Sequence, residues 1–257
     1  MNIFTNLLDG LVSQTRNILG SNLVGVYLHG SGAMGSFNPI TSDIDLLIVV
    51  KDAVSDAVKL QYMDMIVRQN KDAPAKGIEL SIVKCDVCRN FVYPTPFELH
   101  FSNTHLEWYL AAPMDYIQKM KGVDRDLAAH FTITYHRGIT LYGEEIKNVF
   151  SGVDEKFYFD SIWNDISGAA EAITDDPVYI ILNLCRVLAF VKDKAILSKK
   201  EGAEWAIQNV PDKYSTLITS ALTAYQGDGR IYIEEVLAVE FAKYMLNTIS
   251  RDIPFGM

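Results

Sequence analysis

Two acidic residues at the start of an apolar run are the first candidates for chemistry. Asp43 and Asp45 stand two positions apart, just before the run Leu46–Val50. Side chains alternate between the two faces of an extended segment, so both carboxylates point the same way while Ile44 turns towards the core. Carboxylate oxygens are hard ligands, and magnesium sites commonly combine one or two of them with substrate phosphates. The pair therefore predicts a Mg²⁺ site.

A glycine-serine turn lies shortly before these acids. Gly30-Ser31-Gly32 follows the apolar run Leu23–Leu28, and it can offer backbone N–H groups and a hydroxyl to a phosphate. A lone Asp-x-Asp is most often a solvated strand end, and a lone Gly-Ser-Gly is most often only a turn. The two motifs together, with an apolar strand on each side, favour a site for a metal ion and a nucleotide.

A third acid, Glu79, lies in the run Ile78–Val83, which is rich in β-branched residues and is predicted to be a strand. If this strand lies beside Leu46–Val50 in a mixed sheet, Glu79 joins Asp43 and Asp45. Carboxylates at such close range repel one another, and a divalent cation relieves the repulsion. The alternative is a glutamate on a solvated strand face, but its place in the third strand, after the acid pair, favours the site.

Helices and strands that could position the acids extend to about residue 150. Helices are predicted over residues 2–19 and 54–68, and a helix followed by a short strand over 124–143. The segment 90–113 is aromatic and broken by prolines, so we expect it to line a substrate pocket, with Leu106–Leu110 as a short strand or turn.

Beyond a polar boundary at 148–154 the chain is predicted to be entirely helical. The expected helices are 155–173, 178–192, 199–209, 211–225 and 232–251, and Ser198 with Glu201 forms a capping box for the third of these. The fold class is therefore α+β. Residues 1–150 carry a mixed β-sheet flanked by helices, and residues 151–257 form an all-α helical bundle.

Composition limits the partners. The net charge of −9 disfavours nucleic acid, whose binding relies on neutralising phosphates, and favours a cationic small molecule. No apolar run is long enough for a membrane span, and no signal peptide is evident. Cys85, Cys88 and Cys185 are read as reduced thiols, which predicts a cytoplasmic protein, and we expect a monomer. The Cys-x-x-Cys pair lacks the second pair of a zinc site, so it is either a surface redox pair or, preferably, two incidental thiols.

Both halves of the chain resemble known families. Gly30-Ser31 followed by Asp43-Ile44-Asp45 resembles the signature of the nucleotidyltransferase superfamily that includes DNA polymerase beta. Asn183-Leu184-Cys185-Arg186 and the segment KAILSKKEGAEWA, residues 194–206, resemble the helical domain of bacterial aminoglycoside adenylyltransferases that modify streptomycin at 3″ and spectinomycin at 9. The correspondence covers nearly the whole chain, including Asp126-Leu127-Ala128.

Membership of this family implies an enzyme that uses Mg²⁺ and transfers AMP from ATP to a hydroxyl of the antibiotic, releasing pyrophosphate. It makes residues 1–150 a nucleotidyltransferase domain. The roles that the resemblance implies are metal binding by Asp43 and Asp45, phosphate contact by Gly30 and Ser31, general-base catalysis by Glu79, and ATP binding by Arg186 and Lys199. Lys200 is an alternative to Lys199, and an internal ion pair is the alternative role for Arg186.

The departures from the family pattern concern the acceptor. A Phe-Gly-Glu-Trp motif is replaced by Phe101-Ser102-Asn103-Thr104, and the nearest tryptophan is Trp108. An Asp-Glu-Arg-Asn motif becomes Asp176-Pro177-Val178-Tyr179, which keeps one acid. Asp176 and Trp108 are therefore the candidate acceptor-binding residues, and we expect spectinomycin to be preferred over streptomycin.

Two other functions are compatible with these motifs. One is the same chemistry with another small-molecule acceptor or another nucleoside triphosphate as donor. The other is a nucleotide-binding regulatory module without turnover, against which the presence of Glu79 argues, because such a module needs no general base. A polymerase is disfavoured by the acidic charge.

Overall fold

The computed structural model describes residues 3–252, and the chain divides into two compact units. They are Met1–Val153 and Asp154–Met257. The first is built on a β-sheet, whereas the described residues of the second form helices and the turns that connect them. This arrangement confirms the predicted α+β class with a helical C-terminal region.

The described strands of the first unit form two sheets. They are β1 (Leu23–Leu28), β2 (Ile44–Val50), β3 (Ile78–Lys84), β4 (Thr95–Phe97), β5 (Leu99–Phe101), β6 (Gly122–Asp124) and β7 (Ile139–Gly143). The larger sheet has the order β5-β3-β2-β1-β7, and in it β2 and β3 are parallel while the other neighbours are antiparallel. Strands β4 and β6 pair separately. The mixed sheet predicted around the three acids is confirmed.

Helices flank this sheet. They are α1 (Ile3–Leu19), α2 (Gly30–Ala33), α3 (Asp56–Gln69), α4 (Cys85–Arg89), α5 (Leu106–Ala111), α6 (Pro113–Lys119), α7 (Leu127–Arg137) and α8 (Ile146–Val149). Helix α3 begins where the Ser55 side chain accepts a hydrogen bond from the Val58 N–H, which satisfies one of the free donors of its first turn.

Strand β2 divides its side chains between two cores, because both faces of a central strand are covered. Leu46, Ile48 and Val50 belong to a core that includes side chains of α1 and α3. Leu47 and Val49 belong to a second core that includes side chains of α7. Since side chains alternate along a strand, the odd-numbered residues of β2 lie on the face that α7 covers.

The second unit packs around one apolar helix. Its helices are α9 (Glu155–Asn164), α10 (Ala169–Ala172), α11 (Pro177–Asp193), α12 (Lys199–Asn209), α13 (Ser215–Gln226) and α14 (Glu235–Arg251). Helix α11 is buried along most of its length and packs against α12, α13 and α14. The capping box of Ser198 and Glu201 is present, which confirms that prediction and fixes the start of α12.

Three local predictions differ from the structure. Leu106–Leu110 lies in helix α5, not in a strand or turn. As a helix, the segment packs Tyr109 into the core, and Pro113 begins the next helix. The helix predicted over 155–173 is broken in two at a turn that includes Gly168, a poor helix former. The Gly30–Gly32 turn is a single helical turn, α2.

The ends of the other predicted elements agree to within a few residues, and residue 2 of the first predicted helix lies outside the described part of the chain. Within residues 3–252 no helix is both long and apolar enough to span a bilayer. The three cysteines are buried free thiols, so Cys85 and Cys88 are not a surface redox pair. Burial raises the pKa of both thiols, which keeps them protonated and poorly reactive.

Candidate active site

The three acids come together at one end of the parallel strand pair. Asp45 stands directly opposite Glu79 in the register of β2 and β3. Single carboxylate oxygens of Asp43, Asp45 and Glu79 all lie within 4.8 Å of one another, and the three residues are half-buried. Oxygen ligands at this spacing fit a divalent metal ion.

The charge balance of Glu79 is set by its surroundings. Burial is the main reason that its pKa is raised; the nearby His130 opposes this shift, and the Asp43 carboxylate adds to it. Clustered carboxylates that repel one another are stabilised by a cation placed among them. The donor set therefore fits a divalent metal in chemistry as well as in spacing.

The glycine turn is built against Asp45. Gly30 has a φ of +58°, and a β-carbon at this position would lie 1.9 Å from Asp45 Oδ2. Only glycine allows both the backbone conformation and this close approach. The His29 N–H donates a hydrogen bond of 3.0 Å to the Asp45 carbonyl, which fixes the turn to β2.

Two hydroxyls near this turn have no hydrogen-bond partner among the described residues. They are the buried Oγ atoms of Ser31 and Ser36. The Ser36 N–H donates to the Ser31 carbonyl at 3.1 Å, so the two serines belong to one rigid segment. Buried polar atoms normally find partners, and a phosphate oxygen would satisfy such a hydroxyl. The segment therefore fits a nucleotide phosphate.

A histidine on α7, which we did not predict, completes this region. His130 Nε2 lies 3.2 Å from Asp126 Oδ2 and 3.9 Å from Glu79 Oε1. The signal in the sequence was the spacing of Asp126 and His130, four residues apart at the start of a predicted helix, which places the two side chains on one face. Nothing in the sequence linked that helix to Glu79.

The candidate ATP-binding residues of the second unit lie on α11 and α12. Arg186 is the one residue from Ile180 to Val191 that is not buried. Its guanidinium donates to Asn183 Oδ1, and a β-carbon at Gly202 would lie 2.8 Å from its Cγ, so α12 packs closely on its stem. Arg186 is also the one charged side chain within residues 180–191, and a partly exposed charge in a buried stretch fits a binding role.

Lys199 and Lys200 differ in their surroundings. The Lys199 ammonium lies 4.7 Å from the centre of the Tyr179 ring and 5.9 Å from that of Tyr225. The Lys200 ammonium lies 3.9 Å from a Glu204 carboxylate oxygen. Lys199 is thus the more constrained of the two.

Comparison with known proteins assigns both halves of the chain. The nucleotidyltransferase domain model matches residues 12–134, and the model of the aminoglycoside adenylyltransferase C-terminal domain matches residues 148–248. The chain is therefore similar to aminoglycoside adenylyltransferases over both of its halves. The resemblance that the two motif regions predicted is confirmed.

Full-length relatives agree with this family. The chain is 25% identical to a spectinomycin 9-adenylyltransferase of Staphylococcus aureus, over 97% of this chain and 99% of the relative. It is also 25% identical to an aminoglycoside (3″) (9) adenylyltransferase of Klebsiella pneumoniae, over 95% and 94% of the two chains. The crystal structure of a spectinomycin adenylyltransferase from Enterococcus faecialis, solved with ATP and spectinomycin, has the same fold. Its TM-score is 0.81 at 21% identity, and the match covers 96% of this chain and 99% of the other.

The two candidate acceptor residues already have structural partners. The Asp176 side chain accepts a hydrogen bond from the Tyr179 N–H at 3.2 Å and caps α11. The Trp108 indole N–H donates to Asp115 Oδ2 at 3.0 Å, and its ring packs edge-on against Tyr116 at 5.0 Å. Their roles towards the acceptor stay predictions.

Proposed function

We propose that the chain transfers AMP from Mg²⁺-ATP to a hydroxyl of an aminocyclitol antibiotic, with spectinomycin as the preferred acceptor. The observation that carries this proposal is the cluster of Asp43, Asp45 and Glu79 beside the Gly30-Ser31 turn. It occurs in a chain whose relatives of nearly equal length are named spectinomycin adenylyltransferases.

Metal and nucleotide binding are divided among several groups. Asp43 and Asp45 hold Mg²⁺, which when bound neutralises the triphosphate and makes the α-phosphorus more electrophilic. Ser31 and the Gly30 backbone contact the phosphates, and the orphaned Ser31 hydroxyl supports this role. Arg186 and Lys199 add positive charge to the ATP site. We assign residues 1–150 to the nucleotidyltransferase domain and residues 151–257 to the helical domain.

Glu79 acts on the acceptor. Its carboxylate takes the proton of the acceptor hydroxyl while that oxygen forms a bond to the α-phosphorus of ATP. The bond between the α-phosphorus and the bridging oxygen breaks, and pyrophosphate leaves with the electron pair. The raised pKa of Glu79 supports this role, because a more basic carboxylate is a stronger proton acceptor at neutral pH.

The acceptor is a cation, which suits a chain of net charge −9. We propose that Trp108 and Asp176 contribute to its recognition, and that the absence of a tryptophan within Phe101–Thr104 makes streptomycin a poor acceptor. The same acidic charge supports a function without nucleic acid. We further propose that the chain acts as a monomer in the cytoplasm.

The test is an acceptor and donor panel. The full chain is incubated with Mg²⁺ and ATP, GTP or CTP, and with spectinomycin or streptomycin, while pyrophosphate release and product mass are measured. We expect an AMP adduct of spectinomycin and little or no adduct of streptomycin. Efficient streptomycin adenylylation would contradict the proposed acceptor preference, and absence of both adducts would contradict the proposed function.

A further inference from the structure

His130 lies on the side of α7 that faces the sheet. Leu127 and Phe131 belong to the core between α7 and the sheet. His130 follows Leu127 by three positions and precedes Phe131, so it lies on the same side of the helix. Strands β2 and β3 present Asp45 and Glu79 on the face that α7 covers, which brings His130 into contact with Glu79.

One nitrogen of His130 faces two carboxylates. Its Nε2 lies 3.2 Å from Asp126 Oδ2 and 3.9 Å from Glu79 Oε1. Asp126 is itself held, because its N–H donates to Asp124 Oδ1 at 2.9 Å and its carbonyl accepts from the His130 N–H at 3.1 Å. The three side chains therefore form a row, Asp126–His130–Glu79, that is anchored at the start of α7.

The carboxylates of Asp126, Glu79 and Asp45 all act on His130. Burial disfavours a charged imidazole, but the Asp126 carboxylate, followed by those of Glu79 and Asp45, outweighs burial and raises the pKa of His130 to about 10. His29 packs against this ring with 4.8 Å between the ring centres. Burial lowers the pKa of His29 well below its usual range, so His29 stays neutral and contacts His130 by ring packing.

We propose that His130 is a positioning residue for the transfer reaction, holding the Glu79 carboxylate in place through one oxygen. The other oxygen of Glu79 is then left to accept the proton of the acceptor hydroxyl. Without this contact, the Glu79 carboxylate is free to rotate away from the orientation in which it can accept that proton. This inference rests on the proposed function, because it assigns His130 a role through Glu79 alone.

The test is a double-mutant cycle in the full chain, with His130→Gln, Glu79→Gln and the double variant. Single-turnover AMP transfer to spectinomycin is measured together with KM for ATP and the melting temperature. We expect His130→Gln to lower kcat roughly 10- to 100-fold, as is typical for groups that orient a reactive residue, and to leave KM for ATP nearly unchanged. We expect Glu79→Gln to lower transfer by roughly 10²- to 10⁴-fold.

The coupling between the two substitutions tests the proposed role of His130. Since His130 acts through Glu79, adding His130→Gln to Glu79→Gln should change the residual rate by less than about 3-fold. If the rate losses of the two single variants multiply in the double variant, the proposal is overturned, because His130 would then act independently of Glu79. So would a wild-type kcat in His130→Gln, or a loss that follows only ATP affinity.

Two controls separate local packing from positioning. His136→Gln places the same substitution at an exposed position of the same helix and should leave transfer unchanged. If His130→Gln does not fold, Asp126→Asn removes the anchor while keeping the shape, and the same cycle with Glu79→Gln gives the answer. An inactive wild-type chain would refute the proposed function and this inference with it, whereas an active wild type with additive variants refutes the inference alone.

Discussion

The two units hold their candidate residues in opposite ways. In the first unit three carboxylates converge at one end of the parallel pair β2 and β3, and the hydroxyls of Ser31 and Ser36 have no partner among the described residues. In the second unit Arg186 is already bound by Asn183, and Asp176 already caps a helix. The first arrangement is unfavourable without a ligand, whereas the Arg186 and Asp176 side chains of the second unit already have partners.

The contrast between the two units shows which groups point to function by their geometry alone. Groups that conflict with one another or lack partners in a folded chain point to a bound ligand, because folding alone does not select such arrangements. Groups with satisfied contacts have a structural explanation as well as a functional one. Three sets of variants test this contrast.

The largest effect is expected from the acids of the first unit. Asp43→Asn or Asp45→Asn removes a metal ligand, and losing charge stabilisation worth several kcal/mol should lower AMP transfer on the order of 10³-fold. The melting temperature should stay the same or rise, because repulsion among the acids is relieved. Transfer assays and thermal melts measure both. Asp86→Asn, at an exposed aspartate, is the control, and near-normal transfer in an acid variant would contradict the metal site.

A smaller effect is expected at Arg186. A hydrogen bond to a charged group contributes about 1.5–3 kcal/mol, so Arg186→Ala should weaken ATP affinity roughly 10- to 100-fold. Calorimetric titration with Mg²⁺-ATP measures it, with Arg251→Ala, at the exposed end of α14, as the control. Unchanged affinity together with a lower melting temperature would assign Arg186 to its contact with Asn183 alone.

The smallest effect separates two neighbouring lysines. Lys199→Met should weaken ATP binding several-fold, because its ammonium is held over aromatic rings. Lys200→Met should change it by less than about 2-fold, since an exposed pair such as Lys200–Glu204 contributes little. The same titration compares the two, and the reverse order would show that Lys200 is the ATP contact.

Sequence reasoning worked best where local signals and tertiary packing agree. β1 was predicted with its observed ends, because a central strand is an uninterrupted apolar run, and α12 was predicted because its capping box marks its start. Helix α5 was missed, because the aromatic residues of Leu106–Leu110 suit either a strand or a helix, and packing decides between them.

Prediction of the candidate site from the sequence has the same limit, because it also depends on packing. Asp43, Asp45 and Glu79 were expected together if the strand of Glu79 lay beside Leu46–Val50. The structure pairs these two strands and places the three acids together. The contact of His130 with Glu79 depends on how α7 packs on the sheet, which no spacing in the sequence encodes. The functional roles of the individual site residues stay predictions until the variants are measured.

The parallel pairing of β2 and β3 also has a consequence for biosynthesis. Parallel neighbours need a crossover, here made by α3, and closing so long a loop costs chain entropy before any contact repays it. A nascent chain that ends at Gln69 already contains the glycine turn and both aspartates, but it lacks the third carboxylate and the strand that would align it. The three carboxylates can therefore come together during translation only after β3 has left the ribosome and paired with β2.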